Sequence, residues 1–295
     1  MPQLPTEVFA RLPDEAALGR LAAAAAVAYG APSPDHVVGA PGTQILLPLA
    51  AGLVPPGRAA VLGPTYAEHA RVAALVGHRA EEVADIGALA DADLAVIVNP
   101  NNPDGRVVGR DALTALADKL RSRGGLLVVD EAFMDVGSAG ASLAGEVGHG
   151  NIVVLRSFGK FFGLAGLRLG FALAATEIAA RLTASLGPWA VAGPAIAVGE
   201  IALADAPWRL AMRATLAREA QRLDDVLTRA ELDIVGGTSL FRLVRTPAAD
   251  ELFHHLGRAG IFVRRFAEQP SWLRLGLPSD EDAWARLRAA LAGGR

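Results

Sequence analysis

Ser157-Phe158-Gly159-Lys160-Phe161-Phe162-Gly163-Leu164-Ala165-Gly166-Leu167-Arg168-Leu169-Gly170 is the stretch on which the reading of this chain turns. It follows a short apolar run, 152–155, that suits a strand buried on both faces. It holds one of only two lysines, the other being Lys119 on the amphipathic stretch 111–123, where surface solvation is expected. The glycines permit tight turns at the carboxyl end of a parallel sheet, where ligands of α/β proteins bind. A lysine placed there can form a Schiff base with a carbonyl compound. Ser157 and Arg168 can hold a phosphate, one by its hydroxyl and one by a charged fork. Taken by itself, the segment reads equally well as a glycine-rich loop with a solvated lysine.

Outward from this segment, runs at 59–63, 94–98, 126–129 and 152–155 read as buried strands, separated by longer amphipathic stretches such as 111–123 with Gly124-Gly125 as its stop. The alternation predicts right-handed βαβ units and an α/β fold with a large, mostly parallel sheet. Residues 167–172 give one more strand, whose neighbour can be antiparallel. After Pro194 the pattern changes. Residues 195–230 read as helical with a break near Pro207, followed by strands at 232–235, 239–244, 261–264 and 272–275 and helices at 247–259 and 279–292. The expected division is a large domain over 31–190 and a smaller α+β C-terminal domain over 191–295, with 1–30 packing on the small domain.

Composition removes several classes of function. The 295 residues include no cysteine, which excludes a disulfide framework, a thiolate metal site and a cysteine nucleophile. With 52% hydrophobic and 20% charged residues the chain is not wholly disordered. A net charge of −3 gives no footprint for nucleic acid or an anionic membrane. Residues 21–28 resemble the apolar part of a signal peptide, but Asp14 and Glu15 stand where a basic leader belongs, so they read as a helix. Residues 182–199 carry no charge, yet Gly187, Pro188, Gly193 and Pro194 interrupt them, so they read as a turn between two helices rather than a membrane span. A cytoplasmic protein is expected.

Two further strand ends carry polar residues. Asn99-Pro100-Asn101-Asn102-Pro103-Asp104-Gly105 follows the run 94–98, and is either a plain turn or a turn that presents an amide to a ligand. Asp130-Glu131-Ala132-Phe133 follows 126–129, and a carboxylate at the end of a buried strand must meet a cation, either a protonated ring nitrogen or an ordinary arginine. Together the three strand ends make the chain resemble the class I/II aminotransferase family, the fold-type-I pyridoxal-phosphate enzymes, over nearly its whole length.

The resemblance implies roles residue by residue. Lys160 would hold pyridoxal 5'-phosphate as a Schiff base and later move the proton. Asp130 would keep the pyridine nitrogen protonated, Asn102 would hydrogen-bond the phenolic oxygen, and Ser157 and Arg168 would bind the phosphate. Gly42-Thr43-Gln44, opening a helix, would add backbone N–H groups. Tyr66, in Gly63-Pro64-Thr65-Tyr66, falls where the family stacks an aromatic ring on the pyridine; His69 on the same helix matches no role. Arg274, in Trp272-Leu273-Arg274-Leu275-Gly276, would clamp a substrate carboxylate, and Arg264, in Val263-Arg264-Arg265-Phe266, would bind a substrate phosphate. The resemblance also implies a homodimer with the active site at the interface.

Within the family, these segments are most like the cobalamin-biosynthesis branch that decarboxylates threonine phosphate; the histidinol-phosphate aminotransferases share the scaffold. Two departures bear on substrate binding: the segment that closes over the substrate is missing at the start, and Leu12 stands where relatives place a Tyr. A catalytically weakened paralogue is thus a third reading. A nucleotide-binding Rossmann protein would need Gly-x-Gly-x-x-Gly after an early strand, which Gly163-Leu164-Ala165-Gly166 does not supply. A transcription regulator on the same scaffold would need a basic DNA-binding domain, for which 30 residues are too few.

Overall fold

The structure, a computed structural model, describes residues 4–293. The contacts divide the chain into two compact units: one runs up to Asn102 and from Val107 to Pro207, the other takes in Pro103–Arg106 and the chain from Trp208 onward.

The larger unit holds helices α1 (Glu7–Ala10), α2 (Glu15–Tyr29), α3 (Thr43–Ala51), α4 (Glu68–Leu75), α5 (Arg110–Arg121), α6 (Thr176–Leu186) and α7 (Gly193–Ala204). Its strands are β1 (Val37–Ala40), β2 (Arg58–Leu62), β3 (Arg79–Val83), β4 (Leu94–Val98), β5 (Leu126–Asp130), β6 (Ile152–Ser157) and β7 (Gly170–Ala174). They form one sheet in the order β1-β7-β6-β5-β4-β2-β3, parallel from β6 to β3, with β7 antiparallel to both its neighbours. Every residue of β4, β5, β6 and β7 is buried, which is why these strands are continuous apolar runs without polar alternation. One face of the sheet, carrying Leu126, Val128, Val153 and Leu155, packs against Leu46 and Leu47 of α3, Val72 of α4 and Leu182 of α6. Asp14 caps α2 by accepting the Ala17 N–H at 2.7 Å.

Two strands carry no clear signal in the sequence. β3 is a charged edge strand with Arg79, Glu81 and Glu82, and its charges protect the open edge against pairing with another chain. β1 is four residues long and contains Gly39. The strand expected at 167–172 begins only at Gly170, because 165–167 form a short 3-10 turn and Arg168 is left-handed. The N-terminal helix α2, expected with the smaller domain, belongs to the larger unit, where it packs on α7 and β1. The division falls at Pro207, not near residue 190, because α7 belongs with the larger unit: a Cβ on Gly199 would meet Leu21 of α2 at 2.9 Å and Leu169 at 2.6 Å.

The smaller unit contains α8 (Ala206–Arg229), α9 (Ala249–Arg258) and α10 (Glu281–Gly293) with strands β8 (Asp233–Thr238), β9 (Phe241–Arg245), β10 (Arg264–Phe266) and β11 (Gln269–Gly276). The strands form an antiparallel sheet, β10-β11-β9-β8, over a core of Leu223, Leu227, Val244, Leu256, Leu273 and Trp284. Pro207 lies in the first turn of α8, where a missing N–H costs nothing, and the helical run breaks just before it at Asp205. The Gly237 N–H donates to the Asp104 carbonyl at 2.8 Å and joins 103–106 to β8. No helix among the described residues is long and apolar enough to cross a membrane.

Candidate active site

Strands β2, β4, β5 and β6 end on the same side of the sheet, where open α/β sheets bind ligands. Register brings a second group to that side: Gly170 of β7 pairs with Ser157 of β6 and with Ala40 of β1. The ends of β1 and β6 and the start of β7 therefore meet. Gly42, with φ 84°, opens α3 there, and no side chain caps the first turn of that helix. Its leading N–H groups and partial positive charge are available to an anion. Glycine keeps the corner open: a Cβ on Gly170 would lie 2.5 Å from the Thr43 nitrogen, and one on Gly42 would lie 2.7 Å from a guanidinium nitrogen of Arg168. Arg168 holds φ 54°, an uncommon conformation for a side chain this large. The result is a guanidinium, a serine and an uncapped helix start in one place.

Asp130 ends β5 and is buried. Its Oδ1 accepts the Ala132 N–H at 3.0 Å, and its Oδ2 lies 2.9 Å from Nε2 of buried His69. A carboxylate only accepts, so His69 carries its proton on Nε2 and donates it. From sequence alone His69 has no role; α4 begins only at Glu68, so Tyr66 precedes the helix rather than sharing it with His69 as expected. The Tyr66 ring meets His69 edge-on at 6.0 Å, and its hydroxyl donates to Oε1 of Gln44 at 3.2 Å. Lys160 is exposed, with Nζ 5.6 Å from the centre of the Phe133 ring. The lysine loop and the Asp130–Phe133 turn are thus neighbours.

The amides after β4 divide their work. Asn99 exchanges two hydrogen bonds with Val108, at 3.1 and 2.8 Å. Asn101 accepts from Thr65 at 2.6 Å and donates to the Pro64 carbonyl at 2.9 Å. Both are buried and shape the turn, while Asn102 is half-buried beside them.

In the smaller unit, Arg264 on β10 stands opposite Arg274 on β11. Burial, and then the charge of Arg264, push the Arg274 guanidinium below its ordinary range. Like charges opposite one another repel, a cost that an anion between them removes. Arg274 lies over the Phe241 ring at 5.0 Å. Arg265 is committed elsewhere, paired with Asp250 at 3.1 Å and stacked on Phe253.

Residues 15–291 match the family Aminotransferase class I and II. The chain belongs to that family. It is 43% identical to a threonine-phosphate decarboxylase from Pseudomonas aeruginosa over 296 aligned residues, covering 99% of this chain and 87% of the relative. In fold it resembles a histidinol-phosphate aminotransferase from Clostridium acetobutylicum (TM-score 0.86, 22% identity, 98% of this chain and 92% of the other). It also resembles an L-threonine-O-3-phosphate decarboxylase from Porphyromonas gingivalis (TM-score 0.80, 21% identity, 97% and 94%).

As a member of the class I and II aminotransferases, the chain is a pyridoxal-phosphate-dependent enzyme. The residues present fit that cofactor. The glycine-cleared corner of Arg168, Ser157 and the α3 N-terminus suits a phosphate, and the buried Asp130 carboxylate suits a protonated ring nitrogen. Because Asp130 is buried, it depends on its donors: His69→Leu removes one and leaves Oδ2 without it. The expected loss is about 1–3 kcal/mol of stability in urea unfolding; an unchanged midpoint would show that the bond carries no weight.

Proposed function

We propose that this enzyme decarboxylates L-threonine O-3-phosphate to an aminopropanol phosphate for cobalamin biosynthesis. The observation that carries the reading is the 43% identity to a threonine-phosphate decarboxylase over nearly the whole chain. When bound, pyridoxal phosphate supplies an electron sink for the substrate's α-carbon. Lys160 Nζ is its attachment point and afterwards delivers a proton to that carbon. Asp130, held by His69 and the Ala132 N–H, keeps the ring nitrogen protonated. Asn102 hydrogen-bonds the phenolic oxygen, and Tyr66 stacks on the ring. Ser157, Arg168 and the N–H groups of Gly42-Thr43-Gln44 take the cofactor phosphate. Arg274 clamps the substrate carboxylate and Arg264 takes the substrate phosphate. Their juxtaposition on neighbouring strands supports a substrate with two anionic groups.

Arg274 and the residues around it would decide which substrate bond is oriented to break, the one to the carboxylate or the one to the α-hydrogen. Arg274 orients the carboxylate in decarboxylation and in transamination alike, and ~1.4 kcal/mol of orientational preference is a tenfold rate ratio. The fold likeness to a histidinol-phosphate aminotransferase makes transamination the rival reading.

The same reading includes a homodimer. Trp189, in the turn between α6 and α7 and within the uncharged run 182–199, is an exposed apolar residue on the larger unit that a second copy would cover. Light scattering is expected to give twice the chain mass; a monomer that still holds the cofactor contradicts the assembly.

Two further outcomes test the chemistry. Purified protein is expected to show a visible absorption band that borohydride abolishes; Lys160→Ala loses it and Lys119→Ala keeps it. Equal bands in both variants would exclude Lys160 as the attachment point. Incubation with phosphothreonine is expected to release CO2 without any keto acid, and Arg264→Ala to weaken phosphothreonine far more than threonine, by the ~1.5–3 kcal/mol of a charged hydrogen bond. Glutamate formed from histidinol phosphate and 2-oxoglutarate, without CO2 release from phosphothreonine, would favour the aminotransferase instead.

A further inference from the structure

Consecutive residues of a strand point to opposite faces, and the ends of β5 and β6 use both. Asp130 and Ser157 fall on the face that carries Leu126, Val128, Val153 and Leu155. Glu131 and Arg156, their immediate neighbours, fall on the other. There Arg156 Nη1 donates to Oε2 of Glu131 at 2.9 Å, and Nη2 donates to Oδ1 of Asp135 at 2.8 Å. Ser142 Oγ donates to Glu131 Oε2 at 2.6 Å, and the Leu143 N–H donates to Oε1 at 2.8 Å. The Arg156 guanidinium covers the Tyr29 ring of α2 at 4.3 Å. All of these side chains except that of Leu143, which takes part through its backbone, lie in a polar cluster with almost no solvent exposure.

Burying such a cluster is expensive: desolvation pushes the Glu131 carboxyl up against the pull of Arg156. A well-packed apolar replacement often matches or exceeds the stability of a buried ion pair, so stability does not account for this one. Its place does. The β5–β6 register runs to Asp130 opposite Leu155, and the Glu131 N–H reaches the Leu155 carbonyl at 2.9 Å. At that point the Glu131–Arg156 pair ties the two strand ends together by their side chains, on the reverse of the residues that would hold the ring nitrogen and the phosphate.

We propose that Arg156 and Glu131, braced by Asp135, Ser142 and Tyr29, are positioning residues that fix the spacing of Asp130 and Ser157 for pyridoxal phosphate. The inference rests on the cofactor roles given above. The test compares wild type, Arg156→Lys and the apolar double variant Glu131→Leu/Arg156→Met, each alone and with Ser157→Ala. Pyridoxal phosphate affinity and the pH midpoint of the visible band are measured, with thermal unfolding of the stripped protein alongside. Both variants are expected to fold, to bind the cofactor at least about tenfold more weakly and to move the band midpoint, and Ser157→Ala is expected to cost less in them than in wild type. Arg156→Lys carries the same expectation, so a double variant that fails to fold leaves the test intact. Folded variants with wild-type affinity and band, or a fully additive Ser157→Ala loss, would overturn the inference alone. A wild type lacking a Lys160-dependent band would overturn the cofactor roles and this inference with them.

Discussion

A carboxylate cannot stand unpaired at the end of a strand buried on both faces, and much of the larger unit is arranged around that constraint. Asp130 ends β5 in the middle of the parallel sheet, where water does not replace its lost hydration. His69 from α4 and the Ala132 N–H from its own turn supply two donors. The helix that brings His69 also brings the Tyr66 turn, whose Thr65 and Pro64 hold Asn101 after β4. One buried charge thereby links the turns that follow three neighbouring strands, β2, β4 and β5.

The opposite end of the site is governed by close approach rather than by charge. β7 runs against β6 and β1, so Gly170 sits between the two and the start of α3 comes against it. Only glycine allows that approach, and the left-handed Arg168 turns its guanidinium into the same corner. An anion at this corner would meet donors fixed before it arrives, and such preorganisation lowers the ordering cost of binding. The two ends of the site differ in kind, a caged negative charge at one and gathered donors at the other. That polarity matches a ligand with a cationic ring nitrogen and an anionic phosphate.

The sequence made the central strands legible because each is a continuous apolar run bounded by turn residues, and it made the polar strand ends legible because Asn, Asp and the Ser…Lys…Arg set interrupt those runs. What it hid follows from physics that a linear pattern does not carry. β3 is an edge strand whose charges look like a loop, and β1 is too short to show a period. The boundary near Pro207 was obscured because α7 is apolar around most of its circumference, so its pattern does not say which unit it joins. His69 and Arg156 were invisible as partners because their importance lies in burial and in contacts across 61 and 25 residues of chain. A lone histidine on a helix, or one arginine among many, looks like surface until a carboxylate is found opposite it.

Lys160, three residues beyond β6, is the proposed point at which this family member holds its cofactor. Borohydride-treated protein can be digested and its peptides mapped by mass spectrometry. A reduced pyridoxyl phosphate adduct is expected on the peptide containing Lys160 and on no other. An adduct on Lys119 or the chain's amino terminus, or none on any peptide of protein that carries the visible band, would contradict it.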